Sequence, residues 1–437
     1  MSSHVDQDQA VVRKLSLNAT DKAIWARVGR LFDGISSRSL RNANLVFDST
    51  HIRYVGQEEP PSNLLDPDQA IPDVELPDHL VLPGLIDAHT HLFLDGSTID
   101  LETRKTYLKR GDEWLIDRAR RRWPKILQCG VMAVRDAGDK NGVGLALARE
   151  CAQTRGVQST NPYIDSPGAA IHRQGRYGSF MSRPLEDHDD PQACVFDRVE
   201  SGADRIKLIA TGIIDFKSGC IISPPQMSVS QVDVLVKAAQ QHGRQCFAHA
   251  SGVDGIENVI QGRVKSIEHG YFVTSEQLSR MRDAQIAWVP TLAPVQLQID
   301  RGNELGWDDV VLSHLRRIIE NHCRMLVHAQ EIGVRIIAGS DAGSCGVPHG
   351  IGLLRELELM QQAGISTAQV LGYATGRSAG HLDFREPIGR LAADHRARMI
   401  FTRFNPLKDV ANLRLERIVV FDGQALLVHG EIDQDGL

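Results

Sequence analysis

The strongest constraint on this chain is a rhythm. Between Leu82 and Gly343 short apolar runs recur, each ending in small or polar residues and each followed by a longer stretch of helical period. The runs are VLPGLIDAHTHLF, VMAVRDAG at 131, NPYIDSPG at 161, RIKLIATG at 205, QCFAHAS at 245, KSIEHGY at 265, AWVPTLA at 287 and RIIAGSDAG at 335. They are apolar along their length, as strands covered on both faces must be. Ser230 to His242 illustrates the intervening helices, opening on a serine cap and stopping at Gly243. Eight strands alternating with helices predict a parallel sheet closed into a distorted (β/α)8 TIM barrel over residues 84–385.

The flanks lack that rhythm. Residues 25–85 and 388–430 break into short β-like pieces such as ARVGRLF, MIFTRF and RLERIVVFDG, around the turn-rich EEPPSNLLDPDQAIPD. The expected arrangement is a small composite β-sandwich formed by both chain ends, residues 1–83 with 386–437. No internal repeat is present, and the charged run at 104–123 has the period of one solvated amphipathic helix.

Composition removes some classes of function. A 437-residue chain with a formal net charge of −6 is too balanced for a nucleic-acid coat or a polybasic membrane binder, and 42% apolar residues can bury a large core. The expected partners are therefore small molecules, with neither nucleic acid nor membrane. Seven scattered cysteines without a C-x-x-C pair fit a reducing compartment, and the N-terminal stretch has no apolar signal core. The expectation is a cytoplasmic protein, and a homo-oligomer, as barrels with a side sandwich commonly assemble.

Chemistry enters at the strand ends. His89 and His91 lie two apart after the first barrel strand and so share a face. Lys207 interrupts the fourth run, His249 and His269 close the fifth and sixth, and Asp341 closes the eighth, all on the rim where barrel active sites are built. Taken singly, His249 reads as a core histidine, His269 as a loop residue and Asp341 as a helix cap. Lys207 is harder to dismiss, because a buried ammonium is costly unless paired or neutralised. Carboxylated by CO2 it becomes a carbamate, an anionic ligand able to bridge two divalent cations. Four imidazoles, one carboxylate and that bridge suit two Zn2+-like ions.

With LPGLIDAHTHLF, IKLIATG, FAHA, SIEHG and GSDAG together, residues 82–385 resemble the amidohydrolase superfamily, and the flanks resemble its composite sandwich. PHG at 348–350 and ELELMQQAGIS at 356–366 resemble, more narrowly, the imidazolonepropionase-like branch with Xaa-Pro and Xaa-Arg or Xaa-Lys dipeptidases. The resemblance implies that His89, His91 and Asp341 hold a buried metal, that His249 and His269 hold a more exposed one, and that carboxylated Lys207 bridges both. It implies a bridging hydroxide as nucleophile, with Asp341 as general base and then acid. Where relatives often read TGGHG this chain reads GAAIHRQG, leaving His172 as a candidate donor to the oxyanion. Further substrate contacts are expected from Arg173, Tyr177, Gln226, Tyr271, Thr291 and His349, and Arg173, Arg176 and Lys217 are the cations available for a substrate carboxylate. The expected substrate is an N-acyl amino acid or dipeptide, with aryl amides, ureas and carbamates second. A deaminase of this fold tends to carry a glutamate just after the fifth-strand histidine, where this chain has ASGV. A lactonase or phosphotriesterase stays open. A non-catalytic scaffold would have lost ligands, and here all six positions are filled.

Overall fold

A computed structural model describes residues 2–17, 22–139, 141–154, 161–181 and 183–429. A helix, Ser2–Leu15, precedes four strands: β1 (Ile24–Leu31), β2 (Leu40–Phe47), β3 (Ile52–Gly56) and β4 (Val74–Pro83). Eight strands then alternate with helices: β5 (Leu85–Thr90), β6 (Val131–Asp136), β7 (Tyr163–Asp165), β8 (Ile206–Ile209), β9 (Cys246–Ala250), β10 (Ser266–His269), β11 (Ala287–Val289) and β12 (Arg335–Ile336). The chain closes with β13 (Arg398–Thr402), β14 (Arg417–Phe421) and β15 (Gln424–Val428). Each of the eight runs picked out by the sequence rhythm contains one of β5 to β12.

The first run, however, spans a boundary. Its residues up to Pro83 finish β4, and β5 starts after Gly84, where a Cβ would lie 2.3 Å from the Met132 sulfur. Only glycine lets the backbone approach β6 that closely. β4 belongs to the sheet of the chain ends, which runs β15-β14-β13-β4-β1-β2-β3 and so joins the N-terminal strands to the C-terminal ones through the β4–β13 pair. Val81, Met399 and Phe401 are among the residues of its core, together with Leu15 of the first helix.

The parallel strands form two sheets, β5-β6-β7 and β8-β9-β10-β11-β12. Their edges meet. On one side Ala88 N–H donates to the Ala338 carbonyl (3.0 Å), Asp341 N–H to that of His89 (2.8 Å) and His91 N–H to that of Ala342 (2.7 Å). On the other, Ile171 N–H donates to the Lys207 carbonyl and Ile209 N–H to that of Ile171, both at 2.8 Å. One apolar cluster draws Ile86, Ala88, Ala133, Tyr163, Ala287 and Val289 from strands of both sheets, and each such fully buried side chain contributes about 1.5–3 kcal/mol for the larger residues.

Two local expectations need correction. The helix of the Ser230 region is Val229–Gln241, and its cap is Ser228, whose hydroxyl and the Gln231 side chain form a reciprocal capping box. The charged run 104–123 is not one helix. It falls across Leu101–Leu108, Asp112–Arg120 and Trp123–Gln128, broken at Gly111, with Leu115, Ala119 and Trp123 buried. Among the described residues no helix is long and apolar enough to cross a membrane, and no disulfide joins the seven cysteines.

Candidate metal centre and catalytic cavity

β5 lies at one seam, so the backbone hydrogen bond from Asp341 to His89 sets the first and last of the parallel strands in register. That register brings His89, His91 and Asp341 together, with their ligand atoms all within 4.8 Å of one another. The Nε2 atoms of His89 and His91 stand 3.5 and 3.4 Å from Asp341 Oδ1. Their other nitrogens are already engaged. His89 Nδ1 meets Glu268 Oε2 at 2.6 Å and His91 Nδ1 meets the Gly138 carbonyl at 2.9 Å. Both partners are acceptors, so both Nδ1 atoms carry a proton, which leaves Nε2 as the ligand atom of each ring.

The Nε2 atoms of two imidazoles and a carboxylate therefore face one another. His89 Nε2 is buried and without a hydrogen-bond partner among the described residues. Burial first, then the Lys207 charge, holds the His89 imidazole well below its ordinary pKa, so it is neutral. At Asp341 burial favours protonation, but the His91 contact and the surrounding His89 and His269 imidazoles outweigh it and hold the carboxyl well below the usual range. A neutral His89 imidazole and an ionised carboxylate are the protonation states that a divalent cation requires of such ligands.

Glu268 organises this corner. It is fully buried, accepts from Arg135 (2.8 Å) and Ser266 Oγ (2.6 Å), and orients His89. Asp87, also buried, accepts from the backbone of Ser340 (2.9 Å) and of His89 (3.3 Å), and burial lifts its carboxyl to about 6. The sequence reading passed over Glu268, Asp87 and Arg135. Each was signalled by a charged residue inside an otherwise apolar strand run.

On the β8–β10 side, Lys207 is 1% exposed and lies over the Phe247 ring, 4.8 Å from its centroid. No carboxylate comes within 4.0 Å of it among the described residues. Burial pulls its amine down to about 8, Glu268 opposing and Arg135 reinforcing the shift. His249 Nε2 donates to the Gly212 carbonyl at 3.0 Å, which leaves Nδ1 as its ligand atom. His269 Nδ1 meets Thr291 Oγ1 at 2.8 Å. The His249 and His269 rings are 4.6 Å apart, and His269 is 4.9 Å from His89. Burial, then the neighbouring charge (Lys207 for His249, His249 for His269), lowers both imidazoles, His249 to about 4.

Backbone strain gathers at the same rim. His269 (φ 65°), Thr291 (φ 49°) and Asp341 (φ 56°) all adopt the left-handed region that non-glycine residues avoid. Such conformations persist where surrounding structure over-determines them, commonly at functional sites.

Above the cluster opens a cavity of about 890 Å³, lined by His91, Lys207, His249, His269 and Asp341 among others. Tyr177 and Tyr271 also line it. Tyr177 sits 5.3 Å from the His249 ring, and burial raises its phenol, with the Asp341 charge adding to the effect. The Tyr271 hydroxyl donates to the Thr291 carbonyl at 2.7 Å. The other expected contacts are not brought to the cavity wall. His172 is buried with Nδ1 facing the Arg173 carbonyl at 3.0 Å. Arg173 pairs with Glu186, and Gln226 spends its amide on the Tyr177 and Thr211 carbonyls (2.8 and 3.0 Å). Thr291 acts through His269. His349 lies behind His91, Nε2 donating to the His91 carbonyl at 3.1 Å, and lines a separate pocket. Neither Arg176 nor Lys217 is among the lining residues.

Residues 80–426 match the family described as the Amidohydrolase family. An uncharacterised protein of Mycobacterium tuberculosis is 27% identical over 322 residues, covering 72% of this chain and 76% of its own length. Two solved structures share the fold. One is a Xaa-Pro dipeptidase with bound methionine (TM-score 0.77, 24% identity, 93% of this chain and 100% of that one). The other is Aspergillus niger ochratoxinase (TM-score 0.78, 22% identity, 94% of this chain and 96% of that one).

Proposed function

We propose, because the chain belongs to the amidohydrolase family and is thereby a hydrolase of carbon–nitrogen bonds, that it cleaves a small-molecule amide at the rim of β5, β8, β9, β10 and β12. The observation that carries this reading is the convergence of the His89 and His91 Nε2 atoms on Asp341, beneath a cavity that also contains Lys207, His249 and His269. His89, His91 and Asp341 would hold one divalent cation, and His249 and His269 a second, Zn2+ foremost for a nitrogen-rich donor set. Lys207 would bridge them as its carbamate. Burial lowers its amine to about 8, so the unprotonated form, the one in which nitrogen bonds to CO2 and releases a proton, is far more populated near neutral pH than for an exposed lysine.

The two parallel sheets, joined at both seams, are read as one distorted (β/α)8 barrel over residues 84–385. The chain ends, residues 1–83 and 386–437, are read as its composite β-sandwich.

When bound, two such cations supply a water that is nucleophilic at neutral pH and polarise the scissile carbonyl. Asp341 accepts a proton from the attacking water, with Ser344 Oγ donating to its Oδ2 (2.8 Å) and fixing its orientation. The same carboxyl returns the proton to the departing nitrogen as the C–N bond breaks. One water is consumed, and an acid and an amine leave. Tyr177, kept protonated and facing the cavity beside His249, takes the carbonyl-donor role that the sequence reading gave to His172. Dipeptides and N-acyl amino acids are one substrate reading, and aryl amides, ureas and carbamates are the second, which the apolar cavity wall favours.

Protein purified without chelators is expected to hold about two divalent ions per chain and to release amine from members of an amide panel. Less than about one ion per chain with no amine released would overturn the proposal.

A further inference from the structure

Between the metal-ligand cluster and the acidic mouth much of the cavity wall is apolar and aromatic. Ile99, Phe180, Ile214, Phe216, Val295 and Trp307 surround the space above the cluster. The apolar surface continues to the mouth, where Leu101 is 64% and Ile213 53% exposed. Charge on the wall is one-sided. Among the described residues the only Lys or Arg lining the cavity is Lys207, whereas Asp100, Glu102 and Glu304 line it near the mouth. Glu102 and Glu304 have partners in Lys105 (2.7 Å) and Arg301 (2.6 Å), neither of which lines the cavity.

Nearby guanidinium groups are committed elsewhere. Arg104 donates to the carbonyls of Asp95, Thr98 and Gly343, Arg173 pairs with Glu186, and Arg176 donates to the Pro224 carbonyl. A substrate carboxylate entering this space would lose its hydration and meet no guanidinium fork in exchange. An apolar group of the same shape would gain by burial.

We propose that the site takes uncharged amides with apolar groups on both sides of the scissile bond and discriminates against substrates bearing a free carboxylate. This rests on the reading of Lys207 as a carbamate, which removes the last cationic side chain from the wall. In the reaction the water oxygen bonds to the carbonyl carbon, the C–N bond breaks, and a water proton passes to nitrogen, giving a carboxylic acid and an apolar amine.

The test uses a matched pair on the metal-loaded enzyme, N-benzoyl-leucine and N-(3-methylbutyl)benzamide, which differ only by the carboxylate. The uncharged compound should have a kcat/KM at least about 100-fold higher. Competitive binding of the same pair, measured by calorimetry, should favour it at least about 10-fold whether or not either compound turns over. Equal or better use of the acid in either measurement overturns the inference. Ile213→Arg, at the exposed mouth, should raise the relative kcat/KM of the acid about 10-fold. No change there would show that the wall's charge does not set the preference. Metal content and the response of Lys207→Ala are read separately. Lost metal loading in the unaltered protein sinks the hydrolase reading, while normal loading with a preference for the acid sinks only this inference.

Discussion

The two halves of the rim are built on different principles. At the β5–β12 seam each imidazole is oriented by a second partner: Glu268 holds His89, the Gly138 carbonyl holds His91, and the Nε2 atoms converge on Asp341. Across the cavity, His249 and His269 are likewise anchored, by Gly212 and Thr291, but the group between the halves is a dry amine with no carboxylate in reach. The first half has the donor set of a candidate metal site as it stands. On the proposed reading the second becomes one only when Lys207 changes the sign of its charge, which would make one half and not the other depend on CO2.

The sharpest way to break that contrast is to remove a ligand from the seam. His89→Ala should lower kcat/KM by at least about 1,000-fold and leave the chain short of metal, measured by elemental analysis and amine release. Activity within tenfold of the parent would end the seam assignment. Lys207→Ala should keep about one ion per chain while losing about 100- to 1,000-fold in activity, with partial recovery in short-chain carboxylic acids. Loss of both ions together would show that the halves are not separable.

Smaller effects test the supporting shell. Glu268→Gln should weaken metal affinity about 10- to 100-fold, and by leaving Arg135 unpaired should destabilise the fold by about 3 kcal/mol, read by chelator competition and thermal melting. Thr291→Val should weaken binding about tenfold through His269 alone, with little change in melting temperature.

A buried carboxyl behind the second half gives the mildest expected effect. Burial raises Glu356 from 4.5 to about 8, although its Oε2 accepts from Ala293 N–H at 2.7 Å. The folded state therefore binds this proton more tightly than the unfolded one. Its stabilisation is full below pH 4.5 and is lost as pH rises through about 8. Glu356→Gln should leave melting unchanged near pH 4.5 and raise it at pH 8, without altering metal content. An equal shift at both pH values would show that titration is not the cause.

Much of this was legible beforehand. Alternation along a strand is local, so His89 and His91 could be placed on one face, and Lys207 could be singled out because ammonium in an apolar run needs an explanation. Glu268 was legible on the same ground and was missed because the neighbouring histidine drew the attention. His172, Gln226 and His349 do not line the cavity, which the sequence alone could not show. They lie in connecting segments, whose path is set by contacts with distant residues, such as the Gln226 bonds to Tyr177 and Thr211. The one amphipathic helix expected at 104–123 failed at Gly111, where backbone freedom ends a helix that side-chain period alone would continue.

By itself the sequence determined the order of strands and the kinds of group at their ends, because period and residue chemistry are properties of a short segment. Only the tertiary structure decided which nitrogen of each histidine faces the cation site and which residues wall the cavity. Those depend on hydrogen-bond partners far away in the chain, Glu268 lying 179 residues from His89. The lack of a lining arginine among the described residues is likewise invisible in a chain that has 49 Lys and Arg residues. A charge's reach is set by what it pairs with in three dimensions.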